Sequence, residues 1–188
     1  MMHRRGFITG ATAAGAVLAL PAPAVAKRVV RLPSRFFPQE VAVRPELAAG
    51  EIHVETARTY LYWTLGNGRA IRYGIAVGAA GRNLKGRALV GRKAKWPSWR
   101  PTTSMIRAEP HIYRQFAEGL PGGHAMNPLG SRALYLHRGG RDTLYRIHGT
   151  PQPWTIGQSF GSGCIRLVND HVEDLYGRVP KGARVVVY

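Results

Sequence analysis

The stretch "IHVETARTYLYWTLGNGRAIRYGIAVG", residues 52–78, decides the fold class. It is dense in β-branched and aromatic residues, and Leu61, Trp63 and Leu65 alternate with Tyr60, Tyr62 and Thr64. A period of two marks a strand with one face turned to a core. Gly66-Asn67-Gly68 supplies the positive-φ residues of a tight hairpin, and "RAIRYGIAVG" returns as the partner strand. Working outward, "SRALYLH" (131–137) and "TLYRIH" (143–148) alternate around Gly139-Gly140, which predicts a second hairpin ending at His148. "ARVVVY" (183–188) reads as a last, buried strand. Strands dominate and helices are few, so the class is mainly β, a sandwich or barrel.

Two helices are expected. Val172, Leu175, Tyr176 and Val179 at helical spacing predict one from Asp170 to Val179, ended by Pro180. Asp170 as its cap, with Glu173 three residues on, reads as a capping box. A shorter one runs from His111 to Glu118 inside a long segment, 79–130, punctuated by Gly and Pro. Such an insertion in a compact β domain is expected to be loop-like, a lid or a binding loop. Its Trp96 and Trp99 either face a substrate or pack the loop down. Residues 27–50, rich in Pro, Arg and Ala without a clear period, read as an extended lead-in to a domain at 51–188.

Residues 1–26 read as an address. Arg4-Arg5-Gly6-Phe7-Ile8 precedes a weakly apolar Ala/Gly/Val/Leu stretch, and Ala24-Val25-Ala26 has the small-x-small pattern of a signal-peptidase site. The paired arginines have the twin-arginine form of an export signal; an ordinary secretory signal or an uncleaved anchor is the alternative. The apolar core is too short for a permanent bilayer span. The remaining 162 residues suit one domain with its own core, expected to lie outside the cytoplasmic membrane and not within it.

The chain carries 27 Lys+Arg against 10 Asp+Glu, a formal charge of +17. The arginines are scattered singly and in pairs, which suits an extended polyanion. Export points away from nucleic acid and towards an anionic cell envelope as partner, unless the arginines serve general solubility. One cysteine, Cys164, cannot make an internal disulfide, and an exported protein that keeps one thiol is expected to use it.

Around it stands "IHGTPQPWTIGQSFGSGCIRLVND", residues 147–170. A thiol is a weak nucleophile until a base takes its proton, and His148 could give a thiolate–imidazolium pair with Cys164. Gly163 lets the backbone approach a substrate, so that nearby amides can face an oxyanion. Cys-His with small residues is an acyl-transfer arrangement, although a buried structural cysteine beside an unrelated histidine would read the same way. The histidines His53, His111, His124, His137 and His171 lack paired metal-ligand spacing and read as structural or surface residues. No cofactor is expected.

The string "IHGT", then "SGCIRL", then "VNDHVEDLY" resembles the catalytic domain of the L,D-transpeptidases, the YkuD-type family of bacterial cell-wall synthesis. "IHVETARTYLYWTLGNGRAIRYGIAVG", "NPLGSRALYL" and "VPKGARVVVY" are similar to that family too, so the resemblance covers most of residues 51–188. It implies that Cys164 attacks the carbonyl between the third and fourth residues of a peptidoglycan stem tetrapeptide. The terminal D-amino acid leaves, and an amine of a neighbouring stem resolves the thioester. His148 matches the family's base and acid, oriented by the Gly149 carbonyl, and the Gly163 and Cys164 amides match its oxyanion donors. Arg166 matches the motif arginine, to brace the loop or meet a substrate carboxylate. Where the family often has Ser or Thr and then His before the Gly-Cys pair, this chain has Gly161 and Ser162, so one donor near the sulfur is missing. The resemblance also implies acylation by carbapenems. Resolution of the thioester by water would make the chain an L,D-carboxypeptidase or cross-link hydrolase. An inactive, basic wall-binding module is the reading from a different class.

Overall fold

The computed structural model describes residues 32–79, 82–159, 161 and 163–188. The export signal and Ser162 lie outside the described residues. Among the described residues nine strands form one sheet: β1 (Gln39–Ala42), β2 (Glu51–Glu55), β3 (Tyr60–Gly66), β4 (Arg69–Gly74), β5 (Gly86–Lys95), β6 (Arg132–Arg138), β7 (Arg141–His148), β8 (Ile165–Arg166) and β9 (Arg184–Val187). Their order is β1-β4-β3-β2-β9-β5-β6-β7-β8. The chain running on from β4, second in this series, reaches the last strand. Ala76, just past β4, exchanges two 2.9 Å backbone hydrogen bonds with Arg166 of β8. The sheet therefore curls into a barrel-like closure, which satisfies edge groups that would otherwise invite pairing with other chains.

The first hairpin forms as its alternation predicts, up to one residue. Leu61 and Trp63 point inward, but the register shifts between Thr64 and Gly66. Thr64 is buried and hydrogen-bonds Ala48 and Glu51, whereas Leu65 is turned out to solvent. The bulge, not hydrophobicity, sets which of the two is inside. The lead-in contributes β1, which pairs with β4, and Phe36, which is buried against Gly74 and Gly157.

The segment 79–130 is less loop-like than its composition predicts, because β5 lies within it, between β9 and β6. Only Ala88 and Val90 of β5 are fully buried, and a bulge at Gly91 interrupts the alternation. Lys93 turns inward instead of out, its Nζ donating to the Tyr176 and Val179 carbonyls at 2.7 and 2.5 Å. It thereby satisfies carbonyls at the end of a helix. The rest of the insertion carries two short helices, α1 (Thr103–Ala108) and α2 (Pro110–Tyr113), followed by a 3-10 turn (Arg114–Phe116). Paired hydrogen bonds between Trp99 and Leu120 close this excursion. Trp99 packs on Tyr113 and Phe116; Trp96 is exposed.

Helix α3 (Asn169–Arg178) lays Val172 and Leu175 on the core with Leu134, Leu136, Ile147, Ile165 and Val185. Burying each such side chain is worth about 1.5–3 kcal/mol. The expected capping box does not form: Val168 is the N-cap and makes no side-chain cap bond. Asn169 is used otherwise, accepting from the Ser131 amide at 3.1 Å. Among the described residues no helix is long and apolar enough to cross a membrane.

Candidate active site

His148 is the last residue of β7, and Cys164 immediately precedes β8. These strands pair in parallel, Ile147 with Ile165 and His148 with Arg166. Ile147 and Ile165 face the core. Alternation therefore puts Arg146, His148, Cys164 and Arg166 together on the opposite face. The fifteen residues between His148 and Cys164 in sequence are closed into a loop by that pairing.

His148 is buried, and its Nδ1 lies 2.6 Å from the Gly149 carbonyl. A carbonyl only accepts, so Nδ1 carries the proton and Nε2 holds the free lone pair, as a base requires. Burial, with the Arg166 cation nearby, pushes the imidazole down to about 3 despite the Gly149 and Pro128 carbonyls. The thiol moves the other way: burial raises it, opposed by the Arg146 amide, Arg146 and Arg166. Both shifts favour the neutral pair over the thiolate–imidazolium pair expected from the sequence. No hydrogen bond joins the two side chains; Cys164 Sγ instead points at the Leu144 carbonyl, 4.0 Å away. In enzyme sites, hydrogen bonds between such groups are often long without substrate and tighten only in its complex.

The turn after His148 is locked by packing without side chains. A Cβ on Gly149 would meet Asn169 Oδ1 at 2.3 Å, and one on Gly130 would meet the same atom at 2.3 Å. Gly163, at φ +111°, is just as constrained: a Cβ there would lie 2.1 Å from the Arg82 carbonyl. Gly78 backs directly onto Gly163, so the cysteine loop rests on the chain after β4. Arg166 lies against Gly161 and within electrostatic reach of Tyr113 on α2, which brings the insertion to the site.

Asn169, Gly78 and the pair Asp142–Arg146 escape sequence reading. Asn169 next to Asp170 reads as part of a helix start, and Gly78 as one glycine among many. Of the remaining histidines, His53 bridges Tyr188 and Glu51, His137 packs on Gly91 and His171 is buried on α3, whereas His111 and His124 are exposed.

The L,D-transpeptidase catalytic domain family (YkuD) matches residues 49–187, and the chain belongs to that family. The match spans the sheet from β2 to β9 and both halves of the site. Two probable L,D-transpeptidases of Escherichia coli K12 are similar. ErfK/SrfK is 33% identical over 156 residues, which is 80% of this chain and 47% of that protein. YbiS is 34% identical over 154 residues, 79% and 47%. The chain spans about half the length of these curated relatives. A crystallised protein of Brucella melitensis, described as a probable carnitine operon oxidoreductase caia, is 45% identical with a TM-score of 0.57, over 84% of this chain and 96% of that one. An L,D-transpeptidase from Mycobacterium smegmatis shares the fold at 14% identity, with a TM-score of 0.54 over 73% of this chain and 57% of that one.

Proposed function

We propose that the chain is a cysteine-dependent L,D-transpeptidase acting on peptidoglycan stem peptides. The observation that carries this reading is the meeting of a tautomer-fixed His148 and Cys164 on one face of the β7–β8 pair, inside a domain of this family. Sγ attacks the carbonyl between the third and fourth stem residues while its proton passes to His148 Nε2. The Gly163 and Cys164 amides face the oxyanion, a contribution of roughly 3–4 kcal/mol for one good donor. His148 then returns the proton to the departing D-amino acid, and a neighbouring stem's amine attacks the thioester. Gly149 orients the imidazole through its carbonyl, and Arg166 braces the cysteine loop. Ser162 belongs to the same motif and stands where the family often has a second histidine, which leaves activation to fewer groups.

Residues 1–26 serve as a twin-arginine signal, residues 27–50 as the lead-in and residues 51–188 as the catalytic domain, working in the periplasm against the anionic envelope. Incubation with purified tetrapeptide muropeptides tests the assignment by product mass. Cross-linked dimers with release of the terminal D-amino acid are expected. Tripeptide products alone would make the protein an L,D-carboxypeptidase, and no product from folded protein would leave a wall-binding module.

A further inference from the structure

Strand β7 carries a distortion beside the nucleophile. Its register with β6 shifts between Tyr135 and His137, and Leu144 sits in the bulge at φ +64°, exposed. Asp142 staples the bulge: its Oδ1 accepts from the Leu144 amide at 2.8 Å and from Arg146 at 2.7 Å, and its Oδ2 accepts from Arg146 at 3.0 Å. The Arg146 guanidinium also lies 4.2 Å from the centre of the Tyr135 ring, which Arg92 covers at 3.3 Å. Only 14% of the Arg146 side chain is exposed. A carboxylate fork and an aromatic stack together hold this guanidinium in one place.

Continuing the β7–β8 register back one residue puts Arg146 beside Cys164. We infer that Arg146, clamped by Asp142, is the fixed positive charge that stabilises the Cys164 thiolate as it forms. The inference rests on reading Cys164 as the nucleophile. As the proton leaves for His148, the electron pair stays on Sγ, 4.0 Å from the Leu144 carbonyl oxygen. That oxygen suits the thiol and repels the thiolate, so ionisation needs a donor or a cation in place beforehand. The Arg146 amide faces the sulfur and its guanidinium is close enough to draw the thiol down. His148 is neutral at rest and supplies no charge until it has the proton.

The other charged groups around Cys164 divide clearly. Asp142 on β7 opposes the thiolate, with His137 of β6 facing that carboxylate. Arg166 on β8 favours the thiolate and is held between Gly161 and the side of Tyr113. Arg146 offsets Asp142 with its charge and faces the sulfur with its amide. A substrate-binding role fits it poorly, because its fork is already occupied by Asp142.

Alkylation of Cys164 by iodoacetamide at pH 8, followed by mass, reads thiolate content without any peptidoglycan. Arg146→Gln should be alkylated about tenfold more slowly than the parent, as expected when one close cation is lost. Arg146→Lys should recover most of the rate. A purely structural role predicts the opposite sign, since loosening the bulge exposes the sulfur and speeds alkylation. Near-UV circular dichroism checks the fold, and Arg146→Met, which keeps the stack on Tyr135, carries the same comparison should the glutamine variant unfold. Parent-like or faster alkylation of a folded neutral variant overturns the inference, as does an Arg146→Lys protein as slow as Arg146→Gln. A parent protein that fails on muropeptides but shows the tenfold effect sinks the transpeptidase reading and leaves the Arg146 assignment standing.

Discussion

His148 shows how burial selects a protonation state. Its Nδ1–H is committed to Gly149, and its surroundings hold it at about 3 against the ordinary 6.5. Between those values the unfolded chain binds a proton that the folded chain does not, so stability is complete above pH 6.5 and falls as pH drops towards 3. The slope for one such group is about 1.4 kcal/mol per pH unit. On going from pH 7 to pH 5, urea denaturation should show the parent losing about 2 kcal/mol more than His148→Gln. His171, lowered by its own burial, acts in both proteins and cancels in the comparison. Equal losses would mean that the imidazole titrates normally and is not held neutral. At this scale Cys164 and His148 stand out as candidates from residue type and the strings around them. Asp142 and Arg146 were not, because residues four apart on a regular strand lie about 13 Å apart. The bulge at Leu144 brings them together, and nothing in "RDTLYRIH" announces it.

Among the elements, glycine contacts decide how the cysteine loop is seated. Gly78, after β4, has no room for a methyl group: its Cβ would lie 2.2 Å from Gly163 Cα, a backbone atom. Gly78→Ala should therefore displace the loop, cut acyl transfer more than tenfold and lower stability by about 1–3 kcal/mol. Gly177→Ala on α3 is the matched control, since a Cβ there meets nothing within 4 Å. It should raise stability by about 0.5–1 kcal/mol and leave activity unchanged. Rates on muropeptides beside denaturation midpoints check both, and an active Gly78→Ala protein would contradict the seating. The two hairpins, α3 and β9 were legible because apolar, β-branched and aromatic residues concentrate there, although the alternation breaks at Thr64–Gly66 and at the Leu144 bulge. Strand β5 was not: Gly91 breaks its alternation, and Lys93 points inward to the end of α3. The capping box failed for a related reason, since Asn169 is drawn to the Ser131 amide across the site.

At the scale of the whole molecule, closure through Ala76 and Arg166 joins the first hairpin to the cysteine loop, so the site depends on elements distant in sequence. That closure was not readable from any one segment, because β8 is two residues long and has no period of its own. The export reading belongs here too and concerns residues outside the described ones. Replacing Arg4 and Arg5 by lysine keeps the charge but removes the receptor-read pair. Precursor should then accumulate in the cytoplasm, seen by fractionation and immunoblotting; unchanged processing would mark an ordinary secretory signal.

Whether Cys164 is a working acyl-accepting nucleophile is decided by the mass of the intact protein after exposure to a carbapenem. The strained β-lactam amide replaces the stem peptide, so no acceptor or glycan is needed, and hydrolysis of the thioester should be slow. A gain of one carbapenem is expected, mapped to the peptide containing Cys164 and absent from Cys164→Ala. A folded, reduced protein that stays unmodified after long exposure to several carbapenems would contradict it.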